Sequence, residues 1–208
     1  REVADQFVEE PKAAFVNQIG QNASANPDYP RMITSAAYDK CAQEVEGYRD
    51  RVVFGGQGNS ENLRYNPTIL YPITVDEPVV QHELFCPILP VVPFADAEVD
   101  RLMRIVASRE HPLSMYIFTR NKRWAKRMMR TMQYGGGCVN EVCLHLMVKG
   151  VPFNGTGHSG MGAYHGEWGF REFTHPSTVL IGSSRFNLPL REHPYNGLKL
   201  KLLHLFEK

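Results

Sequence analysis

Four thiols are the first groups in this chain whose chemistry asks for an explanation: Cys41, Cys86, Cys138 and Cys143. None forms a C-x-x-C pair, so they read as ordinary thiols of a reducing compartment. A thiol becomes a nucleophile when a nearby cation, helix N-terminus or base lowers its pKa. His82, four residues before Cys86, is placed to supply such a base; the plainer reading of Cys86 is a tolerated thiol with no chemistry. Cys41 falls in a helical pattern and Cys138 on a strand, and both read as small core residues. Cys143 lies in a loop ahead of His145 and has no motif. His165, Glu167 and His175 do not have metal-ligand spacing on one element, so no metal is expected.

The stretch Val151 to Gly169, V-P-F-N-G-T-G-H-S-G-M-G-A-Y-H-G-E-W-G, is unusual in another way. Six glycines fall within it, interleaved with Phe153, Tyr164 and Trp168. Glycine serves where backbone turns with positive φ or approaches another group closely. Such a run fits a tight loop pressed against a planar ligand or a neighbouring chain; a surface loop rich in turns is the alternative. It is not a phosphate loop, which should follow a strand and open a helix within a βαβ unit.

The positioning elements alternate. Val3, Phe7, Val8, Ala14, Phe15 and Ile19 sit close to helical spacing, with a kink or break expected at Pro11. Residues 21–30 read as a loop. Ser35 is placed to cap a second helix through Tyr38, Ala42 and Val45, ending near Gly47. Residues 51–54, 68–71, 88–94, 114–119, 137–139 and 177–182 read as strands. Asp96 is placed to cap a helix with Val99, Leu102, Met103 and Val106 on its apolar face. Asn121 begins another, whose Trp124, Met128 and Met132 read as core. That helix's Lys122, Arg123, Lys126, Arg127 and Arg130 read as a solvated face. Leu198 to Leu203 fits an edge strand or a short amphipathic helix. Alternating strands and helices predict an α/β fold with a parallel sheet.

Four segments together resemble the class-three aldehyde dehydrogenases. Residues 151–169 resemble that family's P-F-G-G-x-G-x-S-G-M-G-A-Y-H-G segment. Pro78 to Val91, P-V-V-Q-H-E-L-F-C-P-I-L-P-V, resembles its Q-E-E-I-F-G-P-x-x-P-V motif. Gly135 to Asn140 resembles its G-G-x-x-x-N strand end, and Ser24 to Ile33 its S-P-D-Y-x-R-I-I segment. The order and spacing are the family's. The similarity looks closest to bacterial enzymes of the coniferyl-aldehyde type.

The resemblance implies the parallel-sheet catalytic domain of the aldehyde dehydrogenase fold over residues 1–175, and an oligomerisation strand and tail over 176–208. It implies NAD or NADP as cofactor, oxidation of an aromatic or medium-chain aldehyde to the acid, and a homodimer. Glu83 and Phe85 match the pair contacting the nicotinamide ribose. The alternative for them is a salt-bridged surface Glu and a core Phe. Phe153 and His145 match the segment lining the aldehyde pocket, against a core Phe and a hydrogen-bonded structural His. Two departures stand out: Cys86 replaces the Gly of E-I-F-G-P, and Asn154 replaces a Gly in the second motif. The family's nucleophilic Cys and general-base Glu precede the S-P-D-Y segment, so both are expected upstream of Arg1. The chain alone is then expected to be inactive. A second function stays open, a non-catalytic structural or oligomerisation module derived from that fold.

Length and charge bound the rest. A chain of 208 residues suffices for one sizeable core. A formal net charge of +1 gives no support for nucleic-acid binding. No apolar run approaches the roughly 18 residues of a membrane span. Arg1 to Asp5 is polar and helical in character, unlike a secretory signal, so a cytoplasmic location is expected.

Overall fold

The computed structural model of the protein describes residues 3–186 and 189–206. Arg1 and Glu2, read above as the polar start of a helix, lie outside the described residues. Helix α1 (Ala4–Ile19) runs through Pro11 without a break. Proline removes one bond, that to the Phe7 carbonyl. Phe7 is exposed, so water can take the freed acceptor. The helix is held from outside itself: Val8 is buried, Phe15 stacks on Phe54 at 5.8 Å, and Tyr71 Oη donates to Asp5 at 2.7 Å.

The S-A-N-P-D-Y-P-R-M-I segment is laced onto residues 62–66. Ser24 N donates to Asn66 Oδ1 (2.6 Å) and Asn62 Nδ2 to the Ser24 carbonyl (2.9 Å). Arg64 Nε donates to the Tyr29 carbonyl (2.7 Å), and Met32 N to the Leu63 carbonyl (2.7 Å). Helix α2 (Ser35–Glu46) follows. Its cap is Thr34 rather than Ser35: Thr34 Oγ1 accepts from Ala37 N at 3.1 Å.

Strand β1 (Val52–Phe54) ends at Gly55 and Gly56, both at positive φ. A Cβ on Gly55 would collide with the Pro67 carbonyl, so the chain needs glycine there. A short hairpin, β2 (Gly58–Asn59) with β3 (Arg64–Tyr65), leads to β4 (Thr68–Leu70). All three residues of β4 are buried. It pairs antiparallel with β1 and parallel with β5 (Ile88–Pro90), giving the order β1-β4-β5. A second parallel pair joins β6 (Ser114–Ile117) to β7 (Gly136–Val139). The α/β class holds, with parallel pairing in β4–β5 and β6–β7 and β1 added antiparallel.

Helix α3 (Val99–Ala107) is entered through a 3-10 turn at Asp96–Glu98. Glu98, not Asp96, supplies the capping carboxylate, accepting from Ala95 N at 2.8 Å. Helix α4 (Lys122–Thr131) connects β6 to β7, and Asn121 Oδ1 caps it by accepting from Trp124 N at 3.0 Å. Its Ala125 and Met128 pack with Ile117, while the five basic residues of its other face are exposed.

Strands β8 (Phe153–Asn154) and β9 (Ala163–Tyr164) pair antiparallel ahead of helix α5 (Gly166–Glu172). The strand expected over 177–182 forms no ladder among the described residues; Val179, Leu180 and Ile181 are 79%, 85% and 91% exposed. A strand exists by pairing its backbone groups, and no described residue pairs with that segment. The Leu198–Leu203 segment takes the helical of its two forms, inside α6 (Gly197–Phe206). Residues 187–188 and 207–208 of the tail lie outside the described residues. No helix among the described residues is long and apolar enough to cross a membrane.

Buried Thr68 ties the sheet to the loops beside it. Its hydroxyl donates to the Asn66 carbonyl (2.9 Å) and accepts from Gly56 N (2.9 Å). Thr68→Val keeps the shape and strands both partners, at about 1–3 kcal/mol for a buried unsatisfied group. The urea midpoint should fall with an unchanged denaturant slope. An unchanged midpoint would show that the hydroxyl carries no stability.

Candidate functional site

The first candidate surface is the loop between the 3-10 turn Pro78–Val80 and β5. Its base is pinned from two sides. Arg109, just beyond α3, donates Nη1 to the Val80 carbonyl (2.6 Å) and Nη2 to the Val75 carbonyl (2.7 Å). Glu77 accepts from Thr74 N (2.7 Å) and from Arg51 Nη1 (2.7 Å). The Thr74 N–H and the Arg51 guanidinium hold the Glu77 carboxyl below its ordinary range. Nothing in the residue pattern singled out Arg109; a lone Arg after a helix carries no motif.

On that pinned loop, Phe85 stands in the left-handed region (φ 54°) and is 81% exposed, so it is not a core residue. Glu83 is exposed and makes no ion pair among the described residues. An aromatic ring and a carboxylate are thereby presented together to solvent.

Cys86 does not receive a base from His82. That imidazole faces Glu44 Oε1 (3.0 Å) and the Pro78 carbonyl (3.1 Å). The Cys86 thiol is instead lowered, chiefly by a hydrogen bond from Cys41. Cys41 is fully buried as a core thiol. Its own ionisation is pushed up by the same bond and by burial.

The second candidate surface is an aromatic cluster behind β6 and β7. His145, on the 3-10 turn Leu144–Met147, lies 5.8 Å from Tyr116 and 6.2 Å from Phe153, between ring centroids. Phe153 continues to Tyr164 (6.0 Å) and His165 (6.3 Å). The two expected aldehyde-pocket residues, Phe153 and His145, are therefore brought together. No hydrogen bond or ring contact among the described residues joins them to Glu83 or Phe85. Tyr116 was legible only as part of a strand, and Tyr164 and His165 only as members of the glycine run.

The motif glycines explain how the cluster closes. A Cβ on Gly136 would lie 2.7 Å from His145 Cδ2, so β7 must lack a side chain where the imidazole rests. A Cβ on Gly135 would collide with the Asn154 carbonyl, and one on Gly155 with the Ser159 carbonyl. Asn154 itself lies in β8 and is not among the residues at positive φ, so that replacement of glycine needs no left-handed backbone.

His145 Nδ1 is 3.4 Å from Cys138 Sγ, while buried Nε2 has no hydrogen-bond partner. Cys138 is thus an imidazole neighbour as well as a small strand residue. His158, in the glycine run, pairs with Glu110 at 2.7 Å.

The α/β scaffold presents an exposed Glu–Phe loop and a separate aromatic wall, and comparison with known proteins gives its family. A profile described as "Aldehyde dehydrogenase family" matches residues 1–179, and the chain belongs to that family. It is 34% identical over 205 residues to aldehyde dehydrogenase family 3 member H1 of Arabidopsis thaliana, covering 98% of this chain and 42% of that protein. It is 33% identical over 179 residues to a Bos taurus "aldehyde dehydrogenase, dimeric NADP-preferring", covering 86% of this chain and 73% of that sequence. A solved substrate-bound Staphylococcus aureus AldH superposes with a TM-score of 0.92 at 31% identity, covering 100% of this chain and 45% of the other. The chain therefore spans less than half the length of the Arabidopsis and Staphylococcus proteins.

The glycine at 136 yields a test of the second wall. Gly136→Ala should push the His145 ring away from β7 and destabilise the fold by about 1–3 kcal/mol, as overpacking does. The His145 ring-proton resonances should shift with those of Phe153. Unmoved resonances would mean that the imidazole does not rest on β7.

Proposed function

We propose that this chain supplies the cofactor-facing and substrate-facing walls of an NAD(P)-dependent aldehyde dehydrogenase that oxidises an aromatic or medium-chain aldehyde to its acid. The observation that carries the reading is Phe85, an aromatic ring 81% exposed on left-handed backbone beside an unpaired carboxylate. A packing role would bury the ring; a binding role leaves it open. The donor set fits the nicotinamide ribose. Glu83 would accept from the ribose hydroxyls, charge-assisted. Phe85 would pack its face against the sugar and limit the range of the attached ring. Arg109 and Glu77 keep the loop beneath them in place. When bound, the dinucleotide supplies a hydride acceptor.

Phe153, His145, Tyr116 and Tyr164 offer an apolar wall to the aldehyde's organic part, which favours an aromatic or hydrophobic substrate. The nucleophilic Cys and the general-base Glu come from sequence outside these 208 residues. Residues 1–175 serve the catalytic domain and 176–208 a pairing strand and tail, working in the cytoplasm. The name of the Bos taurus relative supports both a dinucleotide and a dimer.

Two measurements test this. In the full-length protein, Glu83→Gln should slow hydride transfer on the order of 10- to 100-fold, since small misplacements of a reacting group cost that much rate. Aldehyde binding should change little. Unchanged single-turnover NADH formation would remove Glu83 from the site. The second concerns pairing. An uncharged apolar strand with no partner in its own chain is a template for another chain. The chain should associate through 178–181, and Val179→Lys should weaken association in sedimentation at matched concentration. A compact monomer up to about 100 μM, above the range where exposed edges associate, would refute the pairing strand.

A further inference from the structure

His82 precedes Glu83 on the exposed loop, and both of its ring nitrogens are engaged. Nδ1 lies 3.1 Å from the Pro78 carbonyl at the start of the loop, and Nε2 lies 3.0 Å from Glu44 Oε1 on α2. A carbonyl oxygen and a carboxylate only accept hydrogen bonds. A neutral imidazole carries one N–H and satisfies one of them; the imidazolium carries two and satisfies both. The bridge therefore holds one more proton than a neutral ring and a carboxylate supply. An imidazole is more basic than a carboxylate, so that proton belongs on the ring. The resemblance places a Glu at this position, in Q-E-E-I-F-G-P, and an ionised carboxylate would donate to neither acceptor.

The bridge reaches a part of the loop that the other anchors leave alone. Arg109 holds the carbonyls of Val75 and Val80, and Glu77 holds Thr74 N. Of residues 82–85, only His82 has a side-chain hydrogen bond among the described residues. The Pro78 carbonyl also accepts from Gln81 N at 2.9 Å, so the contact runs from α2 through the ring into the turn.

We infer that His82 is a positioning residue: as an imidazolium it clamps the Glu83–Phe85 loop to α2, and the clamp opens when the ring loses its proton. Its role toward a cofactor rests on the reading of Glu83 and Phe85 given above; the clamp itself needs only the bridge. The sign follows from the proton count. The closed form binds the extra proton, so the clamp is complete at low pH and is lost as pH rises through the range of about 5 to 8 where imidazoles change charge. The neutral ring then turns a lone pair toward either Glu44 or the Pro78 carbonyl. Glu44 is the charged group facing the ring from α2. The Cys41 and Cys86 thiols also feel the Glu44 carboxylate, and Cys86 feels Lys40, so the test keeps those three residues in place.

The experiment is amide hydrogen exchange of the full-length protein at about pH 6 and about pH 8.5, on either side of that range. Each rate is divided by its intrinsic value, and NAD and NADP are titrated at the same two pH values. Protection of the Gln81 amide should fall about two- to five-fold at the higher pH, the range expected of a partly exposed ion pair. In Glu44→Gln the fall should vanish, because a carboxamide accepts from the imidazolium and donates to the neutral ring. In His82→Gln protection should be the same at both pH values. Dinucleotide affinity should follow the same pattern across the three proteins. Equal protection at the two pH values in the unmodified protein would overturn the clamp. So would a fall that persists in Glu44→Gln or in His82→Gln. Exchange that follows the pattern while the affinity for both dinucleotides ignores it would support the clamp and remove the cofactor role from this loop.

Discussion

Strand β4 sets the terms for the rest of the structure, because all its residues are buried and each polar group that it takes inside must be paired. Its two neighbours and the side chains beside it answer that demand. Thr68 N donates to the Pro87 carbonyl and Val91 N to the Leu70 carbonyl, which locks β5 alongside. The Thr68 hydroxyl and the Asn66 carboxamide take up the loop groups of Gly56 and Ser24. Because β5 is fixed, the turn entering it is fixed. Between Val80 and Pro87 the backbone carries Phe85 at φ 54° with its ring exposed, and Arg109 and Glu77 hold the far end of the loop.

The two walls are built on different physics. The Glu83–Phe85 loop is held by charge-assisted bonds to backbone carbonyls and N–H groups at its base, with the Glu83 and Phe85 side chains exposed. The His145–Phe153 wall is held by ring packing over a glycine floor, with hardly any polar bonds between its members. The first arrangement fixes a position in space; the second fixes a shape.

Much of this was legible in the residues, and what was not has a physical reason. Asn121 before an apolar stripe gave α4 its start, since the cap bond is local. Gly55 and Gly56 marked the end of β1 for the same reason. Pro11 does not break helix α1, which is held by contacts to Phe54 and Tyr71 that lie far away in sequence. Residues 177–182 have strand chemistry but no partner among the described residues, and a ladder cannot be read from one strand. Thr34 and Ser35 are both good caps, and only the geometry separates them. Glu83, Phe85, His145 and Phe153 were chosen by resemblance, and Tyr116 and Arg109 were missed because neither sits in a motif.

Cys86 shows how a departure from a family pattern can be absorbed. The resemblance places a glycine at this position, and a glycine lost from a left-handed site would strain any replacement. Here the left-handed residue is Phe85, one position earlier, and Cys86 is not among the residues at positive φ. The backbone therefore accepts a Cβ at 86. The added side chain meets Cys41, Val45 and Tyr65 on an apolar surface that suits sulfur. One residue thus satisfies the backbone and the packing together.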